Sequence, residues 1–211
     1  MIVPEKIERY AEEHTTRPEP LLQELYDETY ATVELPQMIA GPLQGRFLEF
    51  LVWSVRAERV LEIGTFTGYA AIWMAAGLAP GGSVDTCELD EERAAFAQHY
   101  IDRSEYADRI TIHLGPAIET IAKLEGDFDF VFIDADKGGY IDYYEAVLAR
   151  LSVHGLITAD NTLSGGRVLD DEHESRTDAI VRFNEHVRND ERVVSVLLPF
   201  RDGVTLIRRR S

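Results

Sequence analysis

Near the C-terminus, RVVSVLLPF (Arg192–Phe200) and VTLIRR (Val204–Arg209) are β-rich runs separated only by Arg201-Asp202-Gly203. A crossover between parallel strands takes about a dozen residues or more, so this spacing predicts a tight turn and an antiparallel hairpin. Upstream the pattern changes. RVLEIG (59–64), SVDTCEL (83–89), RITIHL (109–114), FDFVFID (128–134) and GLITADN (155–161) are apolar strand candidates. Each is followed by a helical stretch such as EERAAFAQHYIDRS (91–104) or YIDYYEAVLARL (140–151). Five βα units predict a parallel sheet covered on both faces. With the hairpin they give an α/β, Rossmann-like, doubly wound sheet of seven strands. A dinucleotide-binding domain would instead end its sheet in parallel strands.

The first 58 residues precede the sheet. They contain two amphipathic stretches, PLLQELYDETYATVE (20–34) and PLQGRFLEFLVWSVRA (42–57), interrupted near Pro36 and Gly41-Pro42. As N-terminal helices they would cover the functional edge of the sheet, form a dimer face, or only pad the sheet. A length of 211 residues suits a single domain over 1–211, with 1–58 as helical cover and 59–211 as α/β core.

Composition narrows the partners. A formal net charge of −17 repels nucleic acid unless a local basic patch intervenes. No apolar run approaches the roughly 20 residues that span a bilayer, and the opening MIVPEKIERYAEEH lacks the features of a signal peptide. A cytoplasmic protein with no membrane partner is expected. The single cysteine, Cys87, cannot form an intrachain disulfide and reads as a small core residue. Of the six histidines, none shows zinc-ligand spacing, and His113 and His154 are expected to be buried.

After the first strand runs Glu62-Ile63-Gly64-Thr65-Phe66-Thr67-Gly68-Tyr69, then the apolar helix YAAIWMAAGLA. Glycines at this bend let backbone approach a ligand closely. The spacing is not G-x-G-x-x-G, so the loop does not seat a pyrophosphate. Acidic residues here suit S-adenosylmethionine, which carries a sulfonium and an amino group and no phosphate. Glu88 ends the second strand, where a carboxylate can accept both ribose hydroxyl hydrogens. Gly115-Pro116-Ala117 either flanks the adenine or is an ordinary βα turn.

Asp134 ends the fourth strand and Asp160-Asn161 the fifth. Ligands of open α/β sheets sit beyond the carboxyl ends of the strands, so Asp134 should face both the glycine loop and Asp160-Asn161. Two carboxylates and an amide oxygen form a hard, all-oxygen set that favours Mg²⁺, Mn²⁺ or Ca²⁺ over zinc. Lys137, beside Asp134, could take a proton from a bound hydroxyl.

The ordered set Glu62–Tyr69, Glu88, Phe132-Ile133-Asp134-Ala135-Asp136-Lys137 and Asp160-Asn161-Thr162-Leu163 resembles the cation-dependent O-methyltransferase family of caffeoyl-CoA and catechol O-methyltransferases, class I S-adenosylmethionine-dependent enzymes. The resemblance runs from about Leu35 to the hairpin. It implies that Asp134, Asp160 and Asn161 are metal ligands, with Lys137 as base. It further implies that Met38, Ala40, Glu62, Gly64, Tyr69, Glu88, Gly115, Ala117 and Asp134 line the cofactor, and that the protein is a homodimer. Two departures concern specificity. Ala70 stands where many relatives have serine, which removes one hydroxyl contact to the cofactor, and Ser164 where plant members have tryptophan, which predicts a roomier acceptor pocket. Arg167 and the acidic Asp170-Asp171-Glu172 are expected in a variable loop near the entrance.

The expected activity is methylation of a small vicinal dihydroxy aromatic. The alternatives are methylation of a tRNA wobble hydroxyuridine, against which the charge argues, and a cofactor-binding protein without catalysis, against which the complete set of metal and base residues argues.

Overall fold

The computed structural model describes residues 2–210. Five parallel strands, β1 (Arg59–Ile63), β2 (Ser83–Glu88), β3 (Ile110–Leu114), β4 (Phe128–Ile133) and β5 (Leu151–Asp160), join the antiparallel β6 (Val193–Leu198) and β7 (Val204–Arg209). The order is β3-β2-β1-β4-β5-β7-β6. The hairpin expected at the C-terminus is present, and its second strand, β7, lies between β5 and β6.

Alternation along the central strands builds two cores. Val60, Phe130 and Phe132 face one side, packed with α2 (Pro20–Thr32), α3 (Pro42–Ser54), α4 (Tyr69–Ala76) and α5 (Glu91–Arg103). Leu61, Ile63, Val131 and Ile133 face the other, under α6 (Ala117–Lys123), α7 (Tyr140–Leu148) and α8 (Ser175–Arg188). Burial on both faces is why β4 reads as a nearly continuous apolar run.

The N-terminal stretches form α2 and α3, each opened by a proline at the position where a missing N–H costs nothing. A further helix, α1 (Glu5–Glu13), precedes them and was not expected. Ile7, Tyr10 and Ala11 do recur at helical spacing, but the helix is short and buries no residue, with Ile7 and Tyr10 exposed. Two glycines bring α3 tight against α4. A Cβ on Gly45 would run into the Trp73 indole, and one on Gly77 into the Glu49 carbonyl.

Two expectations need correction. β5 starts at Leu151 rather than Gly155, because Leu151 pairs with Phe128 across an irregularity and Phe128 donates to the Arg150 carbonyl at 2.8 Å. His154 lies in that extension and is exposed, not buried. His113 is half-buried, with Nε2 2.7 Å from Asp85 Oδ1. Cys87 is buried as expected, and burial pushes its thiol up to about 12, so it stays protonated. Among the described residues, no helix is long and apolar enough to cross a membrane.

Candidate active site

The carboxyl ends of β1, β2, β4 and β5 meet where the strand order reverses. Backbone bonds continue past the strands and tie their loops together. Gly64 and Thr65 N–H both donate to the Cys87 carbonyl at 3.1 Å, Gly115 N–H to Glu88 O at 2.8 Å, and Asp134 N–H to Ile63 O at 2.9 Å. Gly64 has φ 105°, and a Cβ there would collide with the Asp134 carbonyl. Glycine is what lets the loop after β1 lie directly against the end of β4.

Glu88 is almost buried and already engaged. Its Oε2 accepts from Phe66 N–H at 2.8 Å, and Oε1 from Leu89 and Asp90 N–H at 2.9 and 3.1 Å. A carboxylate has roughly four acceptor sites, so a ligand's hydroxyl pair must share this one with the loop amides. Glu62 is fully buried at the end of β1. The Thr86 hydroxyl donates to Oε2, Oε1 has no partner, and burial holds its carboxyl well above the usual range. Tyr69 turns its ring into the core, 5.9 Å from Tyr26 and 6.2 Å from Trp73 between centroids. No atom lies within 4 Å of a Cβ built on Gly115, so its loop is open on that side, and Ala117 begins α6. Ala40 is buried and Met38 is 43% exposed, both in the segment between α2 and α3.

The acidic residues are brought together with Lys137. Its buried Nζ donates to Asp134 Oδ1 at 2.9 Å and to the Tyr140 hydroxyl at 2.5 Å. Tyr140, fully buried, donates onward to the Asp160 carbonyl at 3.0 Å. Asp160 is 4% exposed; its Oδ2 accepts from Gln44 Nε2 at 2.7 Å, and its buried Oδ1 has no partner. Burial first, then the Asp134 carboxylate, pushes the Asp160 carboxyl up to about 6, against the opposing pull of Lys137 and Gln44. Asn161 takes the left-handed conformation at φ 57°, which asparagine tolerates better than most residues.

Gln44 and Tyr140 were missed in the sequence. The available signal for Gln44 was its place on the buried stripe Gln44, Leu48, Val52, where an amide breaks an apolar spacing. Tyr140 leads the buried face Tyr140, Tyr144, Val147, where it reads as core.

Ser164 is buried and within 2.9 Å of the Thr177 hydroxyl, so it faces α8. Asp202, in the hairpin turn, accepts from Gly165 N–H and through its carbonyl from Leu163 N–H. The same turn sets Phe200 against Phe47 of α3, ring centroids 5.0 Å apart. A second acidic group, Glu145, His186 and Asp190, has ligand atoms within 4.8 Å of one another. Arg192 already bonds both carboxylates, at 2.7 Å to Glu145 Oε1 and 2.6 Å to Asp190 Oδ2. Asp190 precedes Val193, which pairs with Arg209, whereas Asp160 pairs with Val204 at the opposite end of β7. This group is therefore not at the carboxyl-end edge.

A family profile described as O-methyltransferase matches residues 12–210. The chain belongs to the O-methyltransferase family. An O-methyltransferase of Aspergillus thermomutatus is 34% identical, covering 97% of this chain and 93% of the relative. A catechol O-methyltransferase of Niastella koreensis is 41% identical over 73% of this chain and 72% of its own. The S-adenosylhomocysteine complex of a Bacillus cereus O-methyltransferase superposes with a TM-score of 0.89 at 32% identity, covering 97% of each chain. This O-methyltransferase thus shares both fold and sequence with S-adenosylmethionine-dependent enzymes, and it is one of them.

Proposed function

We propose that this O-methyltransferase moves the methyl group of S-adenosylmethionine to one oxygen of a small vicinal dihydroxy aromatic, with a divalent cation held by Asp134, Asp160 and Asn161. The observation that carries this reading is the orphaned Oδ1 of Asp160, a buried carboxylate oxygen without a partner beside a second carboxylate, Asp134. An unpartnered buried charge is costly, and a bound cation would offset that cost. The donors are all oxygens, the set that hard cations such as Mg²⁺ prefer. When bound, the ion would bind the acceptor's two oxygens and favour loss of a hydroxyl proton.

The chain's own residues do the rest. Glu88 and the loop from Gly64 to Tyr69 fix the cofactor, with Glu62, Gly115, Ala117, Met38 and Ala40 around it. Tyr140 holds Lys137 Nζ against Asp134, and the lysine in its neutral form takes the acceptor's hydroxyl proton as general base. The Lys137, Tyr140 and Asp160 side chains are all buried, which keeps bulk water from competing for the proton. A homodimer is part of the proposal, supported by Phe50 and Trp53, which are exposed on α3.

The test is turnover of caffeic acid after exhaustive chelation and after adding back Mg²⁺ or Mn²⁺. Activity lost and then restored is expected. Full activity in chelator overturns the cation assignment.

A further inference from the structure

The geometry points to Gln44 as a positioning residue of the cation site: its amide fixes Asp160 through Oδ2 and leaves Oδ1 to face a bound ion. This inference rests on the cation reading above and adds a residue that lies outside the four strand-end loops.

Gln44 is 2% exposed and Asp160 4%, so neither end of the 2.7 Å bond exchanges freely with water. A carboxylate only accepts, so the amide must turn Nε2 toward it. One oxygen is thereby satisfied and the carboxylate plane held, while the lone pairs of Oδ1 stay without a partner. A ligating carboxylate without such a partner would rotate, and a hard cation gains affinity from donors already oriented.

Packing of α3 on α4 holds Gln44 in place. The next residue, Gly45, lets α3 lie directly on the Trp73 indole, and Gly77 lets α4 approach the backbone of α3. One turn on, Leu48 and Val52 are fully packed, so α3 has little freedom to slide. The amide is neutral, which matters beside two carboxylates. It supplies a donor without adding a third negative charge at Asp134 and Asp160. A chain of contacts thus runs from the N-terminal helices to the end of β5, across 116 positions of sequence. On this reading the helices preceding the sheet form part of the site.

The experiment is Mn²⁺ titration by calorimetry on metal-free wild type and Gln44→Leu, with S-adenosylhomocysteine affinity and thermal unfolding of the metal-free proteins alongside. Gln44→Leu should bind Mn²⁺ about 10–100-fold more weakly, the usual effect of losing an outer partner of a metal ligand. Its S-adenosylhomocysteine affinity should be unchanged, and kcat should recover at saturating Mn²⁺ while the half-activating concentration rises. A merely structural role would shift cofactor affinity and kcat together. Should Gln44→Leu fail to fold, Gln44→Asn, which withdraws the amide by one methylene, takes its place with weakening in the same direction. Equal Mn²⁺ affinity in wild type and the folded variant overturns the role of Gln44 alone. Absence of Mn²⁺ binding in wild type overturns the cation reading, and this inference with it.

Discussion

Lys137 is a buried amine whose two hydrogen bonds, to Asp134 and Tyr140, leave it one proton site for chemistry. Replacing it with alanine should lower kcat by about 10²–10⁴-fold, the usual worth of a general base, with less effect on cofactor affinity. Raising the pH should recover part of the loss, because the acceptor then ionises unaided. A pH–kcat profile of Lys137→Ala that matches wild type would make Lys137 a structural cation. Glu88→Ala should weaken S-adenosylhomocysteine binding by roughly 1.5–3 kcal/mol, the range for charge-assisted bonds. Calorimetry can check this, and unchanged affinity would mean that the carboxylate serves only the Phe66, Leu89 and Asp90 amides. That Asp134 and Asp160-Asn161 lie together was legible in the sequence because each follows or ends an apolar strand, a position that topology sends to one edge. Gln44 was not legible, since nothing local names a partner 116 residues away. The engagement of Glu88 by backbone was equally hidden, because which amides face a carboxylate depends on loop conformation.

At the level of elements, the α3–α4 contact is set by glycine. Gly45→Ala places a methyl inside the Trp73 ring, so the helices must part, and a cost of about 1–3 kcal/mol is expected from such overpacking. Urea unfolding measures it, and no loss would show that Trp73 can rotate away. On the opposite face of the sheet, Arg192 clasps Glu145 and Asp190 and holds both carboxyls below their usual range. A lowered carboxyl stabilises the fold above its unfolded pKa, about 3.9–4.3 for these groups, and that stability is lost as pH falls further. The difference in Tm between wild type and Arg192→Ala should therefore be steady near neutral pH and shrink below about pH 4. A difference that persists in acid would refute the ion-pair account. Five βα units and the hairpin were readable from spacing alone, because strand period and connection length are local properties. The early start of β5 was not, since Leu151 becomes a strand only through its pairing with Phe128. Nor was α1, whose side chains are all at least partly exposed.

For the whole molecule, charge and chelation bear on the same choice of acceptor. A surface with net charge −17 disfavours tRNA, and a bidentate diol both binds and orients at a cation where a monophenol keeps rotational freedom. Caffeic acid should exceed p-coumaric acid in kcat/KM at saturating cofactor and Mg²⁺. Equal values would refute chelation, and turnover of tRNA with neither acid accepted would replace the acceptor class. The order of the sheet has a consequence for folding. In β5-β7-β6 the strand latest in sequence is the one in the middle, so β6 has no ladder partner until β7 is in place. Until then Val194, Val196 and Leu197, exposed even in the finished fold, sit on a strand without a ladder. The hairpin turn also carries Asp202 to the loop after Asn161, so that loop takes its final shape only when the hairpin has closed.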